Sequence, residues 1–288
     1  MKPLPLVVKD TLAGLVFALF WSSASVTTKL GIVGVEPLVL ACLRYTTAGF
    51  LMLLFAYFSA KNALPHPKDR MPILVLGLLN ITFYSAFFVL AIEQVAASIG
   101  SLSLVLNSLF ITLLSALYAK KPVQKQHLAG LTLGILGVLV AVYPFLLTGH
   151  ATLTGLLLLL LSRVVYSGAA VYYAQLKLQT SPLVVNTWQT LVGGLLLVPL
   201  AVLFHARPNH FTGQFWLALA WLIVPIAIVA TQLWLYLLKK DATRASFWQF
   251  LCPIFGILYA HFLLQEPLSV HTLVGGVLVG AALYVAGR

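Results

Sequence analysis

Charge is what this sequence has least of. Only 8% of its 288 residues are charged, where a soluble domain carries about 25%. The acids are six: Asp10, Glu36, Asp69, Glu93, Asp241 and Glu266. All fall near the ends of apolar runs, so no carboxylate pair lies inside one. Cysteine is nearly absent as well. Cys42 and Cys252 sit within apolar runs and give neither a disulfide framework nor a zinc spacing. Each reads as a small packing residue. The nearest histidine pair, His205 and His210, is off the i, i+4 spacing of a helical metal site. A membrane-embedded enzyme needs close acid, His or Cys clusters, and none is present in the sequence pattern. The reading is therefore of a non-enzyme with no cofactor and no metal. A membrane enzyme or an inert scaffold stands as the alternative from another class.

What the sequence has is hydrocarbon. Hydrophobic residues make up 61% of the chain and the mean hydropathy is +1.02. A helix crossing a bilayer needs about 20 apolar residues. Apolar runs cover approximately 10–30, 37–58, 71–92, 96–118, 126–146, 153–175, 182–204, 213–238, 243–264 and 270–286. Proline-containing breaks separate several of them, as at Glu36-Pro37, Pro65-His66-Pro67, Ser181-Pro182, Arg207-Pro208 and Glu266-Pro267. The runs are continuously apolar rather than alternating, which excludes a β-barrel. The expected fold is an all-α membrane protein of ten transmembrane helices. The first run, with Ser22-Ser23-Ala24 as a passable cleavage site, is read as a retained helix and not a signal peptide.

A net charge of +11 need not mean nucleic acid, because the basic residues sit in short connections. Of the 17, 13 fall on one side of the membrane, only Lys29 and Arg207 on the other, and Arg44 and Arg163 within runs. That bias makes the first side cytoplasmic, with both termini inside. The partners expected are the lipid bilayer and a small molecule, with no nucleic acid, and the protein is read as a monomer.

Sliding the chain against itself gives one productive offset, 145 residues. Ser22 falls on Ser167, Trp21 on Tyr166, Pro37-Leu38-Val39 on Pro182-Leu183-Val184, Gly49 on Gly194, Ser101 on Ser246, Pro122 on Pro267 and Gly130 on Gly275. The expected domains are thus a five-helix repeat over 1–146 and a second over 147–288. An odd number of helices inverts the second repeat, an architecture of secondary transporters with a substrate site near the midplane. Asn80 falls on Pro225 and Ser108 on Pro253. Proline kinks a helix, so these positions are expected breaks, with Pro225 and Pro253 as gate or structural residues.

With these residues laid out, the chain resembles the EamA-type branch of the drug/metabolite transporter superfamily. The likeness rests on Phe20-Trp21-Ser22-Ser23 with Lys29, Pro37 with Arg44-Tyr45 and Ala48, Ala91-Ile92-Glu93-Gln94-Val95-Ala96-Ala97-Ser98, and Gln265-Glu266-Pro267-Leu268 before Gly275-Gly276. It covers the whole chain. It departs at Lys121, where an acid usually precedes the first repeat's proline. The resemblance implies an inner (plasma) membrane exporter of amino acids, other metabolites or drugs. The small four-helix relatives couple to protons through a glutamate in helix 1. This chain has none there, so a facilitator or exchanger driven by the substrate gradient is expected. His261, a lone histidine in an apolar run, is expected to be a hydrogen-bonded packing residue.

Charges inside a membrane are functional candidates by default. Arg163 lies about 16 Å from the Thr152 end of its helix at 1.5 Å per residue, near the middle of a ~30 Å core. It is expected to meet a substrate carboxylate. Arg44, about 10 Å in, is expected to snorkel or to pair with Glu93 or Glu266 as a gate or structural residue. The polar and aromatic residues expected to line the cavity are Trp21, Ser22, Asn80, Tyr84, Ser101, Asn107, Tyr166, Trp188, Gln189, Gln232, Trp248 and Gln249, with Trp21 and Trp188 foremost. Phosphate-ester or drug-like substrates are the alternative. One buried arginine suits a carboxylate better than a doubly charged phosphate.

Overall fold

The apolar runs fold as helices because a backbone in hydrocarbon must satisfy its own hydrogen bonds. The computed structural model describes residues 6–59, 64–120, 125–147, 151–240, 245 and 248–286, and among them there is no strand. The helical rods in chain order are α1 (Lys9–Gly31), α2 (Pro37–Ser59), α3 (Pro67–Gln94), α4 (Ala97–Tyr118), α5 (Lys125–Leu147), α6 (Leu153–Gln175), α7 (Pro182–Leu203), α8 (Gly213–Lys240), α9 (Cys252–Leu264) and α10 (Val270–Ala286). Eight are long and apolar enough to cross a membrane, and α9 and α10 are shorter apolar helices. Among the described residues of the ninth run, Ala245 is helical, Trp248–Leu251 form a 3₁₀ turn and α9 follows from Cys252. Pro253 sits in the first turn of α9, where a missing N–H costs nothing. Lys121, Pro122, Asp241, Arg244 and Ser246 lie outside the described residues.

Several rods are interrupted. α1 breaks at Ser23, whose hydroxyl donates to Phe20 O (2.7 Å), and α4 breaks at Ser103, whose hydroxyl donates to Gly100 O (2.7 Å). Ser108 lies within the continuous helix beyond that break and donates to Val105 O (2.8 Å). α3 and α8 each widen into π-helical turns, over Gly77–Phe83 and Leu222–Ala230. The two widened segments begin 145 residues apart, and they contain Asn80 and Pro225. Pro225 removes an N–H and pushes away the preceding turn. Near each segment a threonine hydroxyl reaches the carbonyl five residues back: Thr231 donates to Ile226 O (3.1 Å), and Thr82 shares its proton between Gly77 O (3.3 Å) and Gly193 O of α7 (3.0 Å).

The most extensive helix contacts join α5 to α10 and α2 to α7. Glycine permits both. A Cβ on Gly49 would lie 2.5 Å from Leu191 Cα, and one on Gly194 would lie 2.6 Å from Thr46 N. Thr46 and Leu191 are themselves 145 apart, so α2 and α7 each present a glycine to the matching position of the other. Small residues let membrane helices approach this closely. The remaining rods enclose the core, with α6 packed against α3 and α4, and α1 against α8 and α9.

Candidate functional site

The turns α1–α2, α3–α4, α7–α8 and α9–α10, with the start of α6, meet at one end of the bundle. Polar groups there are densely paired. Lys29 Nζ donates to Ile92 O and Val95 O, both at 2.8 Å, capping the carbonyls at the end of α3. Glu266 accepts from Ala97 N (2.7 Å) and Ser98 N (3.0 Å), the first free N–H groups of α4, where a helix favours an anion. Glu36 accepts from Ala206 N (2.6 Å) and Arg207 N (2.7 Å), and its own N–H donates to Asn209 Oδ1 (2.7 Å). Arg207 forms an ion pair with Glu93 at 2.6 Å. Burial opposes ionisation of Glu36, but the N–H groups of Ala206 and Arg207, helped by His205 and Arg207, hold its carboxyl below the usual range. His261 belongs to this end too, with Nδ1 3.0 Å from Glu266 O.

At the opposite end Asp69 accepts from Gln179 N, Thr180 N and Thr180 Oγ1 at 2.6–2.8 Å, and Asp10 pairs with Lys240 at 2.6 Å. Every acid among the described residues is therefore engaged at an end of the bundle. This corrects the expected partners of Arg44. Glu93 is held by Arg207 and Glu266 by the start of α4, and no carboxylate among the described residues pairs with Arg44. Arg44 is instead buried, with its guanidinium 4.6 Å from the Tyr45 ring centre.

Between the ends lies a different environment. Arg163 has no exposed surface, and no described residue accepts a hydrogen bond from any of its three nitrogens. Its guanidinium lies 5.1 Å from the Phe88 ring centre. Tyr84, Tyr166 and Cys252 lie near it, with the Tyr84 hydroxyl outside hydrogen-bond geometry. An aromatic wall runs beside it. Tyr166 contacts Tyr84 at 5.0 Å, Trp21 at 5.7 Å and Trp234 at 6.1 Å between ring centres, and Phe17 stacks between Trp21 and Trp234. Tyr166 OH, Trp21 Nε1, both amide atoms of Asn107 and both of Gln249 are buried without a hydrogen bond. Ser167, one turn beyond Arg163, donates to Asn107 O at 3.2 Å, and Gln249 lies one turn before Cys252. Buried polar groups are nearly always paired, and an unpaired one costs about 1–3 kcal/mol. A cluster of them marks a place for something with complementary atoms.

The other predicted residues separate from this cluster. Asn80, Gln189 and Gln232 join a ladder with Asn186: Asn80 Nδ2 donates to Gln189 Oε1 (3.3 Å), Gln189 Nε2 to Asn186 Oδ1 (3.3 Å) and Asn186 Nδ2 to Gln232 Oε1 (3.5 Å). These amides satisfy one another across α3, α7 and α8. Ser22 and Ser101 donate to the carbonyls of Leu19 and Ala97 within their own helices. Trp248 packs where a Cβ on Gly14 would fall. Trp188 faces a cavity of about 410 Å³ with Leu64, Pro65 and Arg70, beside the α2–α3 connection and apart from Arg163. Phe17, Phe88 and Trp234 are central residues that the sequence did not single out. As apolar or aromatic residues in apolar helices they gave no signal of their own; only their contacts with Arg163, Trp21 and Tyr166 distinguish them. No group of three or more His, Cys, Asp or Glu among the described residues is placed to hold a metal ion.

Comparison with known proteins bears on what such a bundle does. The sequence profile of the EamA-like transporter family matches residues 9–143 and again 153–288. A probable amino-acid metabolite efflux pump of Salmonella typhimurium is 28% identical over 96% of this chain and 94% of its own length. The Escherichia coli protein of the same description is 27% identical over 96% and 94%. An uncharacterized transporter of Archaeoglobus fulgidus is 24% identical over 93% of both chains. A crystal structure of a protein 23% identical superposes with a TM-score of 0.73, covering 97% of this chain and 96% of the other.

Proposed function

The chain belongs to the EamA-like transporter family, and on that premise we propose that it moves small metabolites, amino acids foremost, out across the plasma membrane by alternating access. It is a multi-pass membrane transporter. The finer reading has ten spans in two inverted five-helix repeats, 1–146 and 147–288, acting as a monomer. Two observations support the inversion: the family profile matches twice, and Gly49 and Gly194 make reciprocal contacts across α2 and α7. The bias of basic residues supports an orientation with the Asp69 end and both termini in the cytoplasm and the Lys29–Glu266 end outside.

The substrate reading is carried by one observation, a fully buried Arg163 with no hydrogen-bond acceptor among the described residues. A guanidinium in that position binds a carboxylate by charge-assisted, bidentate hydrogen bonds. Tyr166, Trp21, Asn107 and Gln249 offer donors and acceptors around it, and the aromatic wall takes the apolar part. Each acid among the described residues is engaged at an end of the bundle, so flux follows the substrate gradient.

The test is counterflow of labelled amino acids into liposomes holding the purified protein, with Arg163→Gln beside the wild type. Uptake of a subset, lost in a folded variant, is expected. Unchanged uptake in the variant would remove Arg163 from the site, and no amino-acid uptake at all would move the substrate elsewhere. Flux that persists with collapsed proton and sodium gradients is expected; strict dependence on either would refute the gradient-driven reading.

A further inference from the structure

Arg70 stands in the first turn of α3, at the Asp69 end of the bundle. It is exposed, and its guanidinium makes no hydrogen bond or ion pair with any described residue. It lines the cavity of about 410 Å³ that Trp188 faces. The other walls carry no charge: Leu64 and Pro65 of the α2–α3 connection, Ile73 and Leu74 of α3, and Trp188 and Val192 of α7. The neighbouring Asp69 carboxylate is turned away onto Gln179 N and Thr180 N, which sets the start of α3 level with the start of α7. Deeper in, a Cβ on Gly193 would lie 2.4 Å from Ile81 Cβ, so the two helices run side by side in one direction. Val192 is about 15 Å along α7 at 1.5 Å per residue. The lining therefore runs from an unpartnered arginine at the end of the bundle inward along apolar helix faces.

We propose that this cavity holds an anionic phospholipid of the surrounding bilayer, its phosphate on Arg70 and one acyl chain along Ile73, Trp188 and Val192. The proposal needs only that the chain spans a membrane, and makes no use of the transport reading. Charge complementarity picks the occupant. A guanidinium takes a phosphate by paired, charge-assisted hydrogen bonds, and basic pockets between membrane helices on the cytoplasmic side bind anionic headgroups. Tryptophan prefers the zone where acyl chains meet headgroups. Neither residue is demanded by the repeat. In the 145-residue offset a buried Phe215 stands at the position of Arg70, and Leu43 at that of Trp188. The two features that suit a lipid thus occur together in one half of the pattern only, at the end where Lys and Arg concentrate. A free phosphate would engage the arginine and leave the apolar walls unused.

Trp188 supplies the readout, because bromine on an acyl chain quenches an indole that it touches. The full chain is placed in vesicles of equal parts phosphatidylglycerol and phosphatidylcholine, with the brominated chains on one lipid or on the other. Both leaflets carry the same mixture, so the direction of insertion does not matter. The fluorescence lost in Trp188→Phe isolates the signal of Trp188. Quenching of that signal is expected to report phosphatidylglycerol over phosphatidylcholine by about fivefold, the effect of one basic residue on an anionic lipid. Arg70→Gln should bring the ratio close to one, and Arg70→Lys should keep most of it. Both variants should melt as the wild type does, since Arg70 is exposed and unpartnered. Equal quenching by the two lipids in the wild type, or an undiminished preference in Arg70→Gln, would overturn the proposal. A preference of the same size in Trp188→Phe would overturn it by placing the lipid elsewhere. Loss of the preference to inorganic phosphate, but not to sodium chloride of equal ionic strength, would overturn it by giving Arg70 to a free anion.

Discussion

The Lys29–Glu266 end and the Arg163 core use the same kinds of groups to opposite effect. At the end, Glu36, Glu266 and Lys29 each take two or more backbone partners from another turn or helix. In the core, Arg163, Tyr166, Asn107 and Gln249 are at least as deeply buried and have side-chain atoms with none. Full pairing makes a polar group a fastener, and an unpaired one stores affinity for a ligand. The difference separates what closes the bundle from what it carries, although residue type alone does not.

Removing the core cation should produce the largest contrast. Arg163→Met is expected to cut transport by roughly 100-fold or more, since a bidentate charge-assisted pair is worth about 3 kcal/mol. The melting temperature in substrate-free detergent should rise, because an unpaired buried charge is replaced by an apolar chain of similar volume. Transport and thermal melting on one preparation measure both. A fall in stability together with transport would make Arg163 structural. At the end of the bundle the signs reverse. Glu266→Ala leaves two N–H groups at the start of α4 without their acceptor and should cost about 1–3 kcal/mol.

The helix interface between the two regions supplies a control that is blind to charge. Gly49→Ala places a methyl group 2.5 Å from Leu191 Cα, and backbone cannot yield as a side chain can. Overpacking of this kind costs about 1–3 kcal/mol. Gly276→Ala on α10 meets nothing within 4 Å and should melt as the wild type does. Equal melting of the two alanine variants would mean that α2 and α7 are not held by close glycine contact.

Sequence periodicity and offset reach far into this fold. Continuous apolar runs had to be helices, and the pairing of Gly49 with Gly194 in the 145-residue offset marked positions where α2 and α7 touch. The depth count placed Arg163 far from both ends of its helix, and the structure buries it completely. What could not be read is which polar groups satisfy one another. Asn80 and Gln189 are 109 residues apart and meet only because the widened turn of α3 lies on α7. Trp188 shares the composition of Trp21 but faces a different cavity. Arg44 looked like a partner for Glu93 or Glu266 because all three lie toward one end, yet each acid is already bound by closer groups. Such pairings depend on helix rotation, which a leucine-rich sequence with weak amphipathicity leaves undetermined.

The smallest expected effect tests whether the fastened end depends on charge. The native contacts hold the Glu36 carboxyl below its ordinary range, so folding favours its ionised form. Such a group contributes stability that is fully present above the unfolded-state pKa and is lost as pH falls through the folded value. The comparison is the melting-temperature gap between wild type and Glu36→Gln. Glutamine keeps an acceptor oxygen for Ala206 and Arg207 and removes only the charge. The gap should be constant from neutrality down to the ordinary carboxylate range and should close below it, as the wild type becomes neutral there too. A gap of the same size under acid conditions would mean that Glu36 fastens the α7–α8 turn by shape and hydrogen-bond count alone. The contrast between a fastened end and an unpaired core would then rest on pairing, with charge contributing only in the core.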